Sequence, residues 1–162
     1  MKIQDWFENW GLSGLKLSTG FLQMEWQPQP DEQQAAWELY IELLTRVTTQ
    51  ALPDADGDEQ TALTSVYELF TVTRELLKQR GRKAQTFSKV AIVVLNQKIR
   101  PFTARWHRLG VGGAFDDPEQ CRAFRAELKT LQHTLRGYAG LLAEVAGVED
   151  FQELARGPLE AL

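Results

Sequence analysis

Disulfide chemistry is closed to this chain, because Cys121 is the only cysteine among its 162 residues. A lone thiol fits a reducing compartment. Long apolar runs are also missing: the longest, Val90 to Leu95, has six residues, against the ~20 that span a bilayer. No membrane helix is expected, and the start Met1-Lys2-Ile3-Gln4-Asp5-Trp6 has no secretory pattern, so the expected location is cytoplasmic. Histidine is scarce. His107 and His133 fall on different expected helices without zinc-ligand spacing, and no Glu-x-x-His motif accompanies the i, i+4 pair Glu38 and Glu42. There is no strand-turn-helix elbow of the G-x-S-x-G type for a nucleophilic serine.

Two further motifs stop short of a ligand site. Asp54, Asp56 and Asp58 have the one, three, five spacing of a calcium loop, but Glu59 stands where the loop needs glycine and Ser65 where it needs its bidentate glutamate. Gly110-x-Gly112-Gly113 follows a helix instead of a strand and feeds into Asp116 and Asp117, which repel phosphate. Cys121 sits among Asp116, Asp117 and Glu119, whose charge favours the neutral thiol. The expectation is therefore no metal and no cofactor.

What is present is an ordinary globular composition: 43% apolar, 25% charged, net charge -4. One domain follows from the length. Most of it carries helical periodicity. Residues 31–50 place Trp37, Ile41, Leu44 and Val47 on one stripe, with Asp31 and Gln34 as a capping box after Pro30 and the Leu52-Pro53 step as a stop. Residues 58–80 follow with Leu63, Val66, Phe70 and Leu77, closed by Gly81. Residues 86–109 align Ala91, Leu95, Ile99, Phe102 and Trp106, and Pro101 should kink this rod. The fourth helix opens at Asp117-Pro118, buries Phe124, Leu128, Leu131, Leu135, Tyr138 and Leu142, and is followed by a tail with Val148, Phe151 and Leu154.

Residues 1–30 differ. After a short leading helix, Leu15 and Leu17, the turn signal Ser18-Thr19-Gly20, and Leu22, Met24 and Trp26 alternate as a small β-hairpin would. The expected fold is all-α: an antiparallel four-helix bundle over residues 31–162, with residues 1–30 as a helix and β-hairpin appendage of the same domain.

Charge is sorted along the chain. No acidic residue lies between Glu75 and Asp116, while Lys78, Arg80, Arg82, Lys83, Lys89, Lys98, Arg100, Arg105 and Arg108 fall there. Such asymmetry points to a partner. Arg82, Lys83, Lys89, Lys98, Arg100, Arg105 and Arg108 are the candidate partner- or anion-binding residues. An acidic protein is the expected partner, RNA or DNA backbone the competing one, and self-association stays open. Internal pairing with acidic neighbouring helices is the competing structural account. Trp6, Trp10 and Trp26 crowd the N-terminal quarter and are candidate docking aromatics, equally suited to holding the appendage on the bundle.

One constellation carries chemistry. Arg100 and His107 stand seven residues apart, two turns along one helix face. Imidazole titrates near neutrality and guanidinium grips phosphate through a planar fork. The spacing Arg100-Pro-Phe-Thr-Ala-Arg-Trp-His107 resembles the R-x6-H signature of HEPN domains, helical bundles that often act as ribonucleases. That resemblance implies Arg100 steadying a phosphodiester and His107 moving protons at a dimer interface. The chain also resembles small bacterial conflict-system proteins in general look, which implies a role in antiviral defence. The primary expectation is a non-catalytic accessory subunit that docks an acidic protein or a nucleic-acid backbone through the basic helix; the HEPN-like ribonuclease is the alternative.

Overall fold

The computed structural model describes residues 1–156, so residues 157–162 of the expected 31–162 unit lie outside the described residues. Among the described residues there is no β-strand. The elements are α1 (Ile3–Asn9), α2 (Thr19–Leu22), α3 (Pro30–Leu44), α4 (Glu59–Arg80), α5 (Gln85–Val94), α6 (Arg100–Val111), α7 (Pro118–Ala146) and α8 (Gln152–Ala155).

The expected hairpin is replaced by two short helices and an extended arm. The Ser18 hydroxyl accepts a hydrogen bond from the Phe21 N–H at 3.3 Å and so starts α2 where a hairpin turn was expected. The alternating segment after it pairs with the first residues of the chain: Ile3 N–H donates to the Met24 carbonyl and Trp26 N–H to that of Met1, at 3.0 and 2.9 Å. One antiparallel bridge, Lys2 to Glu25, is all that results. The other half of the expected hairpin finds a side chain instead of a strand. Gln97 accepts from the Lys16 N–H at 2.7 Å and donates to the Lys16 carbonyl at 2.9 Å, satisfying both backbone groups.

The body also departs from a simple four-helix bundle. Its third rod, from Gln85 to Val111, is interrupted by a π turn at Leu95–Ile99. Pro101 lies just beyond that turn; it has no N–H for the carbonyl four residues back, and its ring would collide with it. Widening the preceding turn relieves both, and π bulges are a known outcome of such a conflict.

α3 is shorter and rotated relative to its expected stripe. Its cap is Gln29, whose N–H donates to Glu32 Oε2 at 3.0 Å, not Asp31. It stops at Leu44 because the Thr48 and Thr49 hydroxyls both donate to the Leu43 carbonyl, at 2.9 and 2.6 Å. Ala35, Ala36, Leu39, Tyr40 and Leu43 form the buried face, leaving Trp37 half-buried and Ile41 exposed. Ala35 and Ala36 carry little weight in an apolar pattern yet are fully buried, so the packed face lies to one side of the larger side chains.

The other rods follow their patterns. Gly81 closes α4 at φ +60°, its N–H on the Leu77 carbonyl, and Asp117 caps α7 by accepting from the Glu119 N–H at 3.0 Å. All six expected α7 stripe residues are buried. In the tail, Val148 and Phe151 pack on the core while Leu154 is exposed.

Neighbouring rods run antiparallel. Arg46 near the end of α3 meets Glu68, while Arg80 at the end of α4 meets Asp31 and Glu38 near the start of α3. The N-terminal arm has one buried aromatic pair of its own and is fastened to this body by Trp26 and Trp10 as well as through Gln97. The Trp6 and Trp26 rings meet at 5.3 Å and are both buried. Trp26 Nε1 donates to the buried Glu32 carboxylate, which also accepts from Gln29 and Phe87 N–H groups, each at 3.0 Å. Trp10 lies over α7 where a Cβ at Gly140 would fall 2.2 Å from its ring, and one at Gly137 2.2 Å from its carbonyl oxygen.

Candidate functional site

α4 forms a ridge between two grooves. At 3.6 residues per turn, positions 67, 74 and 78 turn toward the α5–α6 rod, and positions 68, 75 and 79 turn toward α3. The groove on the rod side encloses about 410 Å³. Its floor is Phe70, Leu77, Ile92 and Leu95, and its polar lining is Arg74, Lys78, Ser88, Asn96 and Arg100. Ile92 is 47% exposed, an uncommon situation for an isoleucine in the middle of a helix pair.

Each cation is placed by local structure. Arg74 and Lys78 are one helical turn apart on α4, so both project over the same groove wall. Arg100 follows the π turn, and its guanidinium lies 4.6 Å from the Phe70 ring centre while Nε donates to Asn96 Oδ1 at 3.0 Å. Stacking and the hydrogen bond fix the planar fork without neutralising it. Among the described residues, no carboxylate lies within ion-pair distance of Arg74, Lys78 or Arg100. The groove therefore combines an apolar floor with three cations that no carboxylate of the described residues neutralises.

The basic block expected from the sequence is dispersed over several surfaces. Arg100 and Lys78 reach the groove. Arg82 and Lys83 follow α4 and line a separate depression with Trp26, Gln29 and Thr86. Lys89 lies 5.7 Å from the Phe21 ring, and Lys98 donates to the Ser13 carbonyl at 2.5 Å, holding the N-terminal arm. Arg105 is paired with Glu127 at 3.2 Å, Arg80 with Glu38, and Arg108 sits in the last turn of α6. Internal pairing thus takes part of the block and leaves the rest. Arg74 stands just outside the acid-free stretch, on the far side of Glu75, and its i, i+4 relation to Lys78 is the sequence signal that joins it to the block.

Arg100 and His107 both pack on α4, through different rings. The His107 ring meets Tyr67 edge-on at 4.8 Å, one turn from where Arg100 covers Phe70. The groove is lined by Arg100 and not by His107. Of the candidate aromatics, Trp6 and Trp26 are buried within the chain, and Trp10, half-buried on α7, donates from Nε1 to Glu144 at 2.6 Å.

Two other reactive groups are occupied by structure. Cys121 donates to the Phe115 carbonyl at 3.3 Å, and burial and the Glu59 carboxylate push its thiol up from the ordinary value. Asp58, from the calcium-like loop, caps α4 by accepting from the Thr61 N–H and hydroxyl, both at 2.7 Å. Among the described residues no three His, Cys, Asp or Glu side chains are grouped to hold a metal ion, and no helix is long and apolar enough to cross a membrane. Comparison of the chain with protein-family models, with curated proteins and with solved structures finds no significant match.

Proposed function

We propose that the chain is a non-catalytic interaction subunit that docks an acidic, amphipathic segment of a protein partner in the groove between α4 and the α5–α6 rod. The observation that carries this reading is the exposed Ile92 among Leu77 and Leu95 beneath Arg74, Lys78 and Arg100. A bare phosphate backbone is held by cations and needs no apolar floor. An amphipathic helix offers both: apolar positions at i, i+3 and i+4 for the floor, and carboxylates beside them for the rim.

The test is binding of a labelled Leu/Glu amphipathic peptide against labelled RNA and duplex DNA across salt. The peptide is expected to saturate the protein, to weaken at least tenfold with Ile92→Asp, and to be lost with Arg74→Glu and Lys78→Glu together. Oligonucleotide binding untouched by Ile92→Asp, in place of peptide binding, overturns the reading in favour of nucleic acid.

The ribonuclease reading has one observation in its favour: Arg100 and His107 meet the same helix through adjacent aromatic rings. Its test is RNA cleavage that His107→Ala abolishes in a folded protein. No cleavage in the wild-type protein removes it.

A further inference from the structure

On the α3 side of α4 lies a second groove of about 400 Å³, with the opposite charge. Its apolar lining is Trp37, Ile41, Val72 and Leu76, and its carboxylates are Glu38, Glu42 and Glu75. Ile41 is 36% exposed, and Trp37 is half-buried with its ring fixed edge-on against Phe151 at 6.1 Å. A half-buried aromatic held in place before binding loses little freedom when a partner covers it, which is the property of an interface anchor.

The charge of this surface is not cancelled by its own arginines. Arg46 bridges Glu42 and Glu68 at 2.7 and 2.5 Å, and Arg80 lies against Glu38 and Asp31. Glu75 has no cation within ion-pair distance among the described residues. Three carboxylates therefore line the groove; the arginines on Glu38 and Glu42 are each shared with a further carboxylate, Asp31 or Glu68, and Glu75 stands without one among the described residues. A third cation arriving from outside meets an attractive potential from groups already ordered on helices.

We infer that the α3/α4 groove is a second docking surface, which takes a basic amphipathic helix, so that the chain bridges two partner segments of opposite charge across the α4 ridge. The bridging role rests on the reading of the α4/α5–α6 groove given above; the docking of a basic helix does not. Opposite rims also give specificity. An acidic segment is repelled from the α3 side and a basic one from the rod side, so each partner is confined to its own groove.

The experiment uses two fluorescent probes, a Leu/Lys and a Leu/Glu amphipathic peptide, titrated singly and together against the whole chain. The Leu/Lys peptide is expected to bind saturably, to weaken at least tenfold with Ile41→Asp, and to weaken severalfold with Glu75→Gln, which keeps the size of an exposed side chain and leaves folding unperturbed. Neither variant should change Leu/Glu affinity by more than twofold, and the two peptides should bind together without competing. Absence of Leu/Lys binding, or binding indifferent to both variants, overturns the second surface while leaving the first reading standing. Leu/Lys binding without Leu/Glu binding supports the second surface and overturns the bridging role and the first reading.

Discussion

The α3–α7 half of the molecule and the α4–α5–α6 flank treat polar groups in opposite ways. Inside the first, away from the α3/α4 groove, buried polar groups are consumed by the fold: Glu32 accepts three N–H bonds, Gln132 donates to the Val47 and Gln50 carbonyls, and Arg125 of α7 pairs with Glu59 at the very start of α4 while donating to the Pro53 carbonyl. In the second, Arg74, Lys78 and Arg100 line a groove with exposed Ile92 and have no carboxylate within ion-pair distance among the described residues. Buried polar groups are satisfied because leaving them unmade costs stability, whereas exposed cations beside an apolar floor do little for the fold. Substitutions should therefore separate the buried polar groups of the first region, which set stability, from the cations of the second, which set acidic-peptide binding.

The largest effect is expected at Glu32. Replacing it with alanine strips the partner from the Trp26 indole and from the Phe87 N–H at the start of α5, both buried, and unties the α3 cap. At about 1–3 kcal/mol for each orphaned buried donor, the loss should reach ~3 kcal/mol or more, read by urea unfolding. A loss below ~1 kcal/mol would remove the first region from the comparison. Gly140→Leu comes next, because its Cβ meets the Trp10 ring at once. Overpacking of this kind typically costs about 1–3 kcal/mol, and the displaced indole should show as a shift in tryptophan fluorescence.

Much of this division was legible in the sequence, and what was not has a physical reason. The rod at residues 58–80 was readable because period and stop signal agreed, and the rod opening at Asp117 because cap and period did. The β-hairpin was misread because alternation over five residues, Leu22 to Trp26, says that one side is buried without saying against what; the answer is residues 1–3, and Gln97 for Lys16. The α3 stripe was misplaced because Trp37 and Ile41 outweigh Ala35 and Ala36 in hydrophobicity, while it is the alanines that are fully buried. The basic block was visible as composition, yet the groove needed the helix pairing, which brings Arg74 of α4 beside Arg100 of α6.

A pH effect should arise where α7 meets the start of α4, away from both grooves. Burial raises the pKa of Glu59, but its hydrogen bond to Arg125 and that cation's charge outweigh burial and hold it below the ordinary 4.5. A carboxylate depressed in the folded state contributes stability above its unfolded value, lost as pH falls through 4.5 and below. Thermal midpoints should drop over that window, and Arg125→Met should flatten the drop. On the other flank, Arg74→Ala with Lys78→Ala should leave unfolding free energy within about 0.5 kcal/mol while removing acidic-peptide binding. Unfolding of that variant would mean that the flank belongs to the fold after all.

The smallest expected change has the opposite sign. The Tyr138 hydroxyl is buried in α7 with no hydrogen-bond partner among the described residues, an exception in the half where polar groups are otherwise satisfied. Burial alone pushes its pKa up, so the phenol stays neutral and its cost is that of an unmade hydrogen bond. Tyr138→Phe keeps the ring and deletes that cost, and should stabilise the chain by up to ~1 kcal/mol in urea unfolding with no change in peptide affinity. A destabilised variant would show that the hydroxyl has a partner in solution, a bound water included, and would return Tyr138 to the rule that governs the rest of that half.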